Sequence, residues 1–217
     1  MVKSLLLIVK ASLLSLLFLG APIAASLDLV DELLKSVQFN DVSTVRALVA
    51  RGLSVDTADQ AGNTLLMRAS RDAQVDMVRV LVDLKADFKR SNAAGDTPLM
   101  FAALGGNLDI VRLLVKMGAA IEHEGWTPMH YCAWAGKLEV CKFLIDQGAD
   151  VDVQAPNGTT PLMMAVRGGY LDTVKLLVWE LADLTIRNQD GSTALGWAKA
   201  AQRGDISEHL IQAGAKE

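Results

Sequence analysis

Several protein classes are excluded by what this sequence has little of. It carries 2 cysteines in 217 residues, too few for a disulfide framework to define the fold. With only 5 prolines and 17 glycines, it is neither collagen-like nor a Pro/Gly-rich low-complexity chain. Charged residues make up only 21% and hydrophobic ones 51%. So much apolar surface must be buried somewhere, which argues against disorder. An excess of positive charge is also missing. The formal charge is −4 and the pI is near 5.4, unlike the basic balance of a dedicated nucleic-acid binder. Aromatics are 5% of the chain, so the position of each one is informative. No nucleophile elbow, phosphate-binding loop, metalloprotease helix or dinucleotide fingerprint is present. The histidines are His123, His130 and His209. The cysteines form no Cys-x-x-Cys motif, zinc-ligand spacing is lacking, and the carboxylates are scattered without a convergent acid–base pair. The reading is a non-enzyme with no metal and no cofactor.

Much of the apolar excess lies at the start. Of residues 1–25, 18 are apolar, and Lys3 and Lys10 are the only charges. A short Leu-rich run, Ala11 to Leu19, is followed by Gly20 and Pro22 and then by Ala21, Ala24, Ala25 and Ser26. This is the basic, apolar, small-residue layout of a secretory signal peptide, cut after about Ala25. An uncleaved anchor is the alternative, but Lys10 divides the stretch. The longest unbroken run is about half of the roughly 20 residues that a spanning helix needs. The compact leader is of bacterial type, which places the chain in the periplasm or outside the cell. Losing Lys3 and Lys10 takes the formal charge from −4 to −6, a weak bias toward a partner with a basic surface.

The rest of the chain repeats. Thr64, Thr97, Thr127, Thr160 and Thr193 recur at intervals of 33, 30, 33 and 33. Two residues before each lies Gly62, Gly95, Gly125, Gly158 or Gly191. One residue after comes Leu65, Pro98, Pro128, Pro161 or Ala194. Five after comes Ala69, Ala102, Cys132, Ala165 or Ala198. Nine after comes Ala73, Gly106, Gly136, Gly169 or Gln202. Leu81-Val82, Leu113-Leu114, Phe143-Leu144 and Leu176-Leu177 mark a second apolar ridge. A fixed period of this length is the mark of a solenoid. Glycine permits a tight turn, threonine caps a helix, and proline fits its first turn. One unit cannot bury its own apolar face, so neighbours must stack.

The signature Gly-x-Thr-Pro-Leu-His, closest at Gly125 to His130 and next at Gly95 to Met100 and Gly158 to Met163, resembles the ankyrin repeat. The resemblance covers nearly all of residues 26–217. It implies an all-α solenoid of helix-turn-helix units with β-hairpin or turn fingers. Six units fit, at about 27–59, 60–92, 93–122, 123–155, 156–188 and 189–217, with degenerate ends. It also implies a protein partner, a monomeric protein, and no nucleic-acid contact or membrane span once the leader is gone. At the signature position, His130 would tie neighbouring fingers together. Partners of the family bind the finger tips and the concave groove of the first helices.

Residues four and seven after each threonine face that groove. In the central units these positions offer Phe101, Leu104, Tyr131 and Trp134, flanked by Arg71 and Arg167. Aromatics and arginine are the usual interface anchors, although residues four after the threonine, including Trp197, are also suited to packing between units. The finger containing Glu122, His123 and Glu124 is three residues short, which would leave a notch beside Trp126. Cys132 and Cys141 occupy inward-facing positions of one unit and either form a disulfide or remain two buried thiols. Trp179 and Leu181 replace the polar residue and glycine that normally end a second helix. They either lengthen that helix and expose an apolar patch or pack beneath the last unit. The function read from these features is non-catalytic protein binding after export. The alternatives are a periplasmic redox or oxidative-stress accessory using Cys132 and Cys141, and a secreted effector that binds a host protein.

Overall fold

The computed structural model describes residues 23–216, with side chains from residue 28. Residues 1–22 of the expected leader lie outside it, so the signal-peptide reading falls there. Residues 23–25 begin the first helix. Among the described residues there are helices and turns but no strand. Contacts divide the chain into two compact units, up to Thr97 and from Pro98. The first holds α1 (Ile23–Gln38), α2 (Val42–Ala50), α3 (Leu65–Arg71) and α4 (Val75–Asp83). The second holds α5 (Pro98–Gly105), α6 (Leu108–Lys116), α7 (Pro128–Trp134), α8 (Leu138–Asp146), α9 (Pro161–Gly168), α10 (Leu171–Trp179), α11 (Ala194–Ala200) and α12 (Gly204–Gln212). Within each unit, first helices pack on first helices and second on second. This is the expected all-α repeat architecture. The fingers are turns rather than hairpins, with one isolated antiparallel bridge, Ala58 to Thr64.

The repeated residues do local work. Thr64 Oγ1 accepts the Met67 N–H at 3.3 Å, Thr160 Oγ1 accepts the Met163 N–H at 3.3 Å, and Thr193 Oγ1 accepts the Gly196 N–H at 3.1 Å. Each satisfies one of the free donors at a helix start. The small residues Ala69, Ala102, Cys132, Ala165 and Ala198 are fully buried, where a larger side chain would hold the packed helices apart. In each second-helix pair, the later residue (Leu114, Leu144, Leu177) or, in the first unit, Leu81 is core, while its pair-mate is half-buried.

The position nine after each threonine has positive φ in all five units, including the non-glycines Ala73 (55°) and Gln202 (55°). That left-handed residue turns the chain between the paired helices. At Gly136 there is a second reason for glycine: a β-carbon would collide with the Tyr170 ring.

Neighbouring fingers are joined by a side-chain clasp. Asp56 Oδ1 accepts the Asp87 N–H at 2.8 Å, and Asp152 Oδ1 accepts the Asp183 N–H at 2.8 Å, both across 31 residues. In the short finger, Glu122 Oε1 takes this role for the Asp150 N–H at 3.0 Å across 28 residues. The three-residue deletion is thus absorbed by a longer side chain at a shifted position.

The α10 helix ends at Trp179, with the same nine-residue length as α8. It is not lengthened, because Leu181 takes φ +64° and turns the chain as glycine would. Nor do these residues pack beneath the last unit: Trp179 is 82% and Leu181 86% exposed.

Candidate functional site

The second unit opens a pocket of about 240 Å³ walled by Trp126, His130, Tyr131, Trp134, Met164 and Arg167. Its geometry follows from how α7 begins. Thr127 caps the helix and Pro128 is its first residue. His130, at the third position, turns back so that Nδ1 accepts the Thr127 N–H at 3.2 Å. With Nδ1 an acceptor, the ring proton sits on Nε2, which donates to the Thr159 carbonyl of the next finger at 3.0 Å. His130 is fully buried, and burial pushes its pKa below the usual 6.5, against the pull of the Thr159 and Val153 carbonyls. The ring is therefore neutral and structural, as the signature position implied. It also meets Trp126 in a T-shaped contact, with ring centroids 5.1 Å apart at 74°.

Trp126 stands just before the cap, where the other repeats carry Asn63, Asp96, Thr159 and Ser192. In the first unit Asn63 bonds within its own finger, through Asp59 at 3.2 Å. An indole cannot accept such bonds, and Trp126 lines the pocket instead. Tyr131 and Trp134 are three apart on α7, and Met164 and Arg167 are three apart on α9, so each pair shares a helix face. Met164 is buried and forms the floor. Trp134 is 45% exposed and Arg167 is exposed at the rim. Beneath this face Cys132 and Cys141 are disulfide-bonded with Cα atoms 5.5 Å apart, tying α7 to α8. Both cysteines are fully buried. Among the described residues, no group of three or more His, Cys, Asp or Glu is placed to hold a metal ion, and no helix is long and apolar enough to cross a membrane.

The comparisons agree with this geometry. Residues 84–155 match the family model for ankyrin repeats in three copies, and residues 135–178 match that for ankyrin repeats in many copies. Residues 84–178 are ankyrin repeats. No curated protein matches it. Ankyrin repeats are protein-interaction modules, typically without enzymatic activity.

Of the residues singled out in the sequence, the ankyrin-repeat fold brings Trp126, Tyr131, Trp134 and Arg167 together. Phe101 and Leu104 lie half-buried on α5 in the same unit but do not line the pocket. Arg71 belongs to the first unit, where its Nε lies 2.9 Å from Asp72 Oδ1. Trp197 is half-buried on α11. Sequence reasoning missed Met164 and treated His130 as structural only. The signal for Met164 was present, since it sits at the same four-after-threonine position as Tyr131.

Proposed function

We propose that this protein is a non-catalytic binding module that acts after export, in the periplasm or outside the cell, and holds a protein partner on its first-helix face. The pocket between α7 and α9 carries this reading: an apolar cleft of about 240 Å³ left open, with an indole 45% exposed at its edge. Exposed aromatic side chains beside an arginine are the usual anchors of a protein interface, and a rigid preformed cleft spends little on ordering when it binds. The buried bond between Cys132 and Cys141 supports a structural part for that pair over a redox-active one, because attack by an outside thiol requires access. Affinity capture from a periplasmic extract, comparing the wild-type chain with Trp134→Ala and Trp126→Ala, tests the reading. A partner held by wild type and lost by variants of unchanged helicity supports it, whereas an undiminished yield from both variants refutes the pocket's role. Cell fractionation separates the periplasmic version from a secreted effector.

A further inference from the structure

The geometry points to an acidic peptide segment carrying one large apolar side chain as the pocket's occupant, an inference that rests on the pocket being the binding site. Two observations lead there. The first is the distribution of charge. The first helices of the second unit, α5, α7, α9 and α11, contain no Asp or Glu. Their charged side chains are Arg167 and Lys199. The carboxylates of the same unit lie instead on the second helices, at Asp109, Glu139, Asp146, Asp172, Asp205 and Glu208, and in the fingers. The pocket lining thus carries a cation and no carboxylate, the nearest in sequence being Glu124 of the short finger.

The second observation is that the cation at the rim, Arg167, is unspent. Neither Arg167 nor Arg203 forms an ion pair among the described residues. Arg203 lays its guanidinium against Gly169, where a β-carbon would collide with it. That places it beside the end of α9 that carries Arg167. A guanidinium at the lip of an apolar cleft, that of Arg167, suits a carboxylate next to a buried side chain, since Arg binds carboxylates in a forked geometry. The pocket volume of about 240 Å³ admits one aromatic or branched aliphatic side chain, being larger than the roughly 150 Å³ cavity that takes up a benzene. The pocket itself offers no carboxylate to attract a basic ligand.

Three labelled peptides of equal length, mixed with the full chain at low ionic strength, test this by fluorescence anisotropy: Phe flanked by Asp, Phe flanked by Lys, and Ala flanked by Asp. The Asp-flanked Phe peptide should bind roughly five- to tenfold more tightly than the Lys-flanked one, as expected for exposed pairs at low salt. Arg167→Glu, a change at an exposed site, should erase or reverse that preference, and Trp134→Ala should weaken both Phe peptides. If both Phe peptides bind equally to wild type and Arg167→Glu, the pocket stands but the acidic partner is refuted. If no Phe peptide binds better than the Ala peptide and Trp134→Ala changes nothing, the pocket reading itself falls, and this inference with it.

Discussion

Replacing His130 by Met isolates one hydrogen bond. Met already stands at the equivalent positions 67, 100 and 163, and it can keep the cap, because the Thr64 N–H donates to Met67 Sδ at 3.3 Å. What Met cannot supply is the Nε2–H donor to the Thr159 carbonyl at 3.0 Å. That carbonyl also accepts the Ala155 N–H at 2.9 Å, so it is not orphaned. The loss is one neutral hydrogen bond, about 1 kcal/mol, plus about 0.5 kcal/mol for the edge contact with Trp126. The His130→Met protein should therefore be about 1.5 kcal/mol less stable in urea titrations near pH 8.

The pH dependence makes the test sharper. Burial holds the His130 pKa below its usual 6.5, so below that pH the unfolded chain takes up a proton more readily than the folded one. The stability that neutral His130 contributes is fully present above the unfolded value and is lost as pH falls through 6.5 toward the folded value. The substituted methionine does not titrate, and His123 and His209 are common to both proteins. The gap between wild type and variant should accordingly narrow by about pH 5. A gap that stays constant or widens would refute the buried, neutral ring.

Three further outcomes are expected. Asp41 caps α2, and hydrogen bonds from Ser43 and Thr44 hold its carboxyl down to about 2 from 3.8. Asp41→Ala should therefore lower the melting temperature at neutral pH, with the two proteins converging in thermal scans as pH falls from 3.8 toward 2. Removing the disulfide with Cys132→Ala and Cys141→Val, the residue types favoured at those repeat positions, should cost about 2–3 kcal/mol for a loop of this size. Alkylation of unreduced protein should label neither cysteine, and labelling of both would refute the bond. Ala73→Gly and Leu181→Gly relieve left-handed backbone at φ 55° and 64°. Each should stabilise by about 0.5–1 kcal/mol, read as a higher urea midpoint at unchanged slope.

The fold was legible because each repeat spells its own stereochemistry. Threonine reports a cap, proline a first turn, and the residue nine later a left-handed corner; the corner persists even where Ala73 and Gln202 replace glycine. Position in the repeat outweighed residue preference there. The same logic failed at Leu181, where a leucine in a glycine's place suggested a longer helix. The stacked neighbours fix where the chain must turn, and an exposed leucine bears the strain. The candidate site was half legible. Trp126, Tyr131, Trp134 and Arg167 were visible as departures from the pattern. Which of the groove positions open into a cleft was not visible, since Phe101 and Leu104 hold the same repeat positions as Tyr131 and Trp134 without lining it. The difference lies in the finger: only the short one places an indole before the cap, beside the helix face.

Net charge was the least reliable guide to the partner. A formal charge of −4 averages over a surface much wider than the roughly 8–10 Å over which exposed charges are felt in physiological salt. A ligand in the cleft responds to the groups within that distance, and of those that line it the only charged one is Arg167. Several of the carboxylates that set the total have roles inside the fold: Asp41 caps a helix, and Asp56 and Asp152 clasp the next finger. Those roles need no partner. Arg167 has no such internal role in pairing, so its charge remains available to whatever fills the pocket. A partner chosen by complementarity to the whole chain would be basic; one chosen by complementarity to the cleft is acidic, and the Lys- and Asp-flanked peptides separate the two.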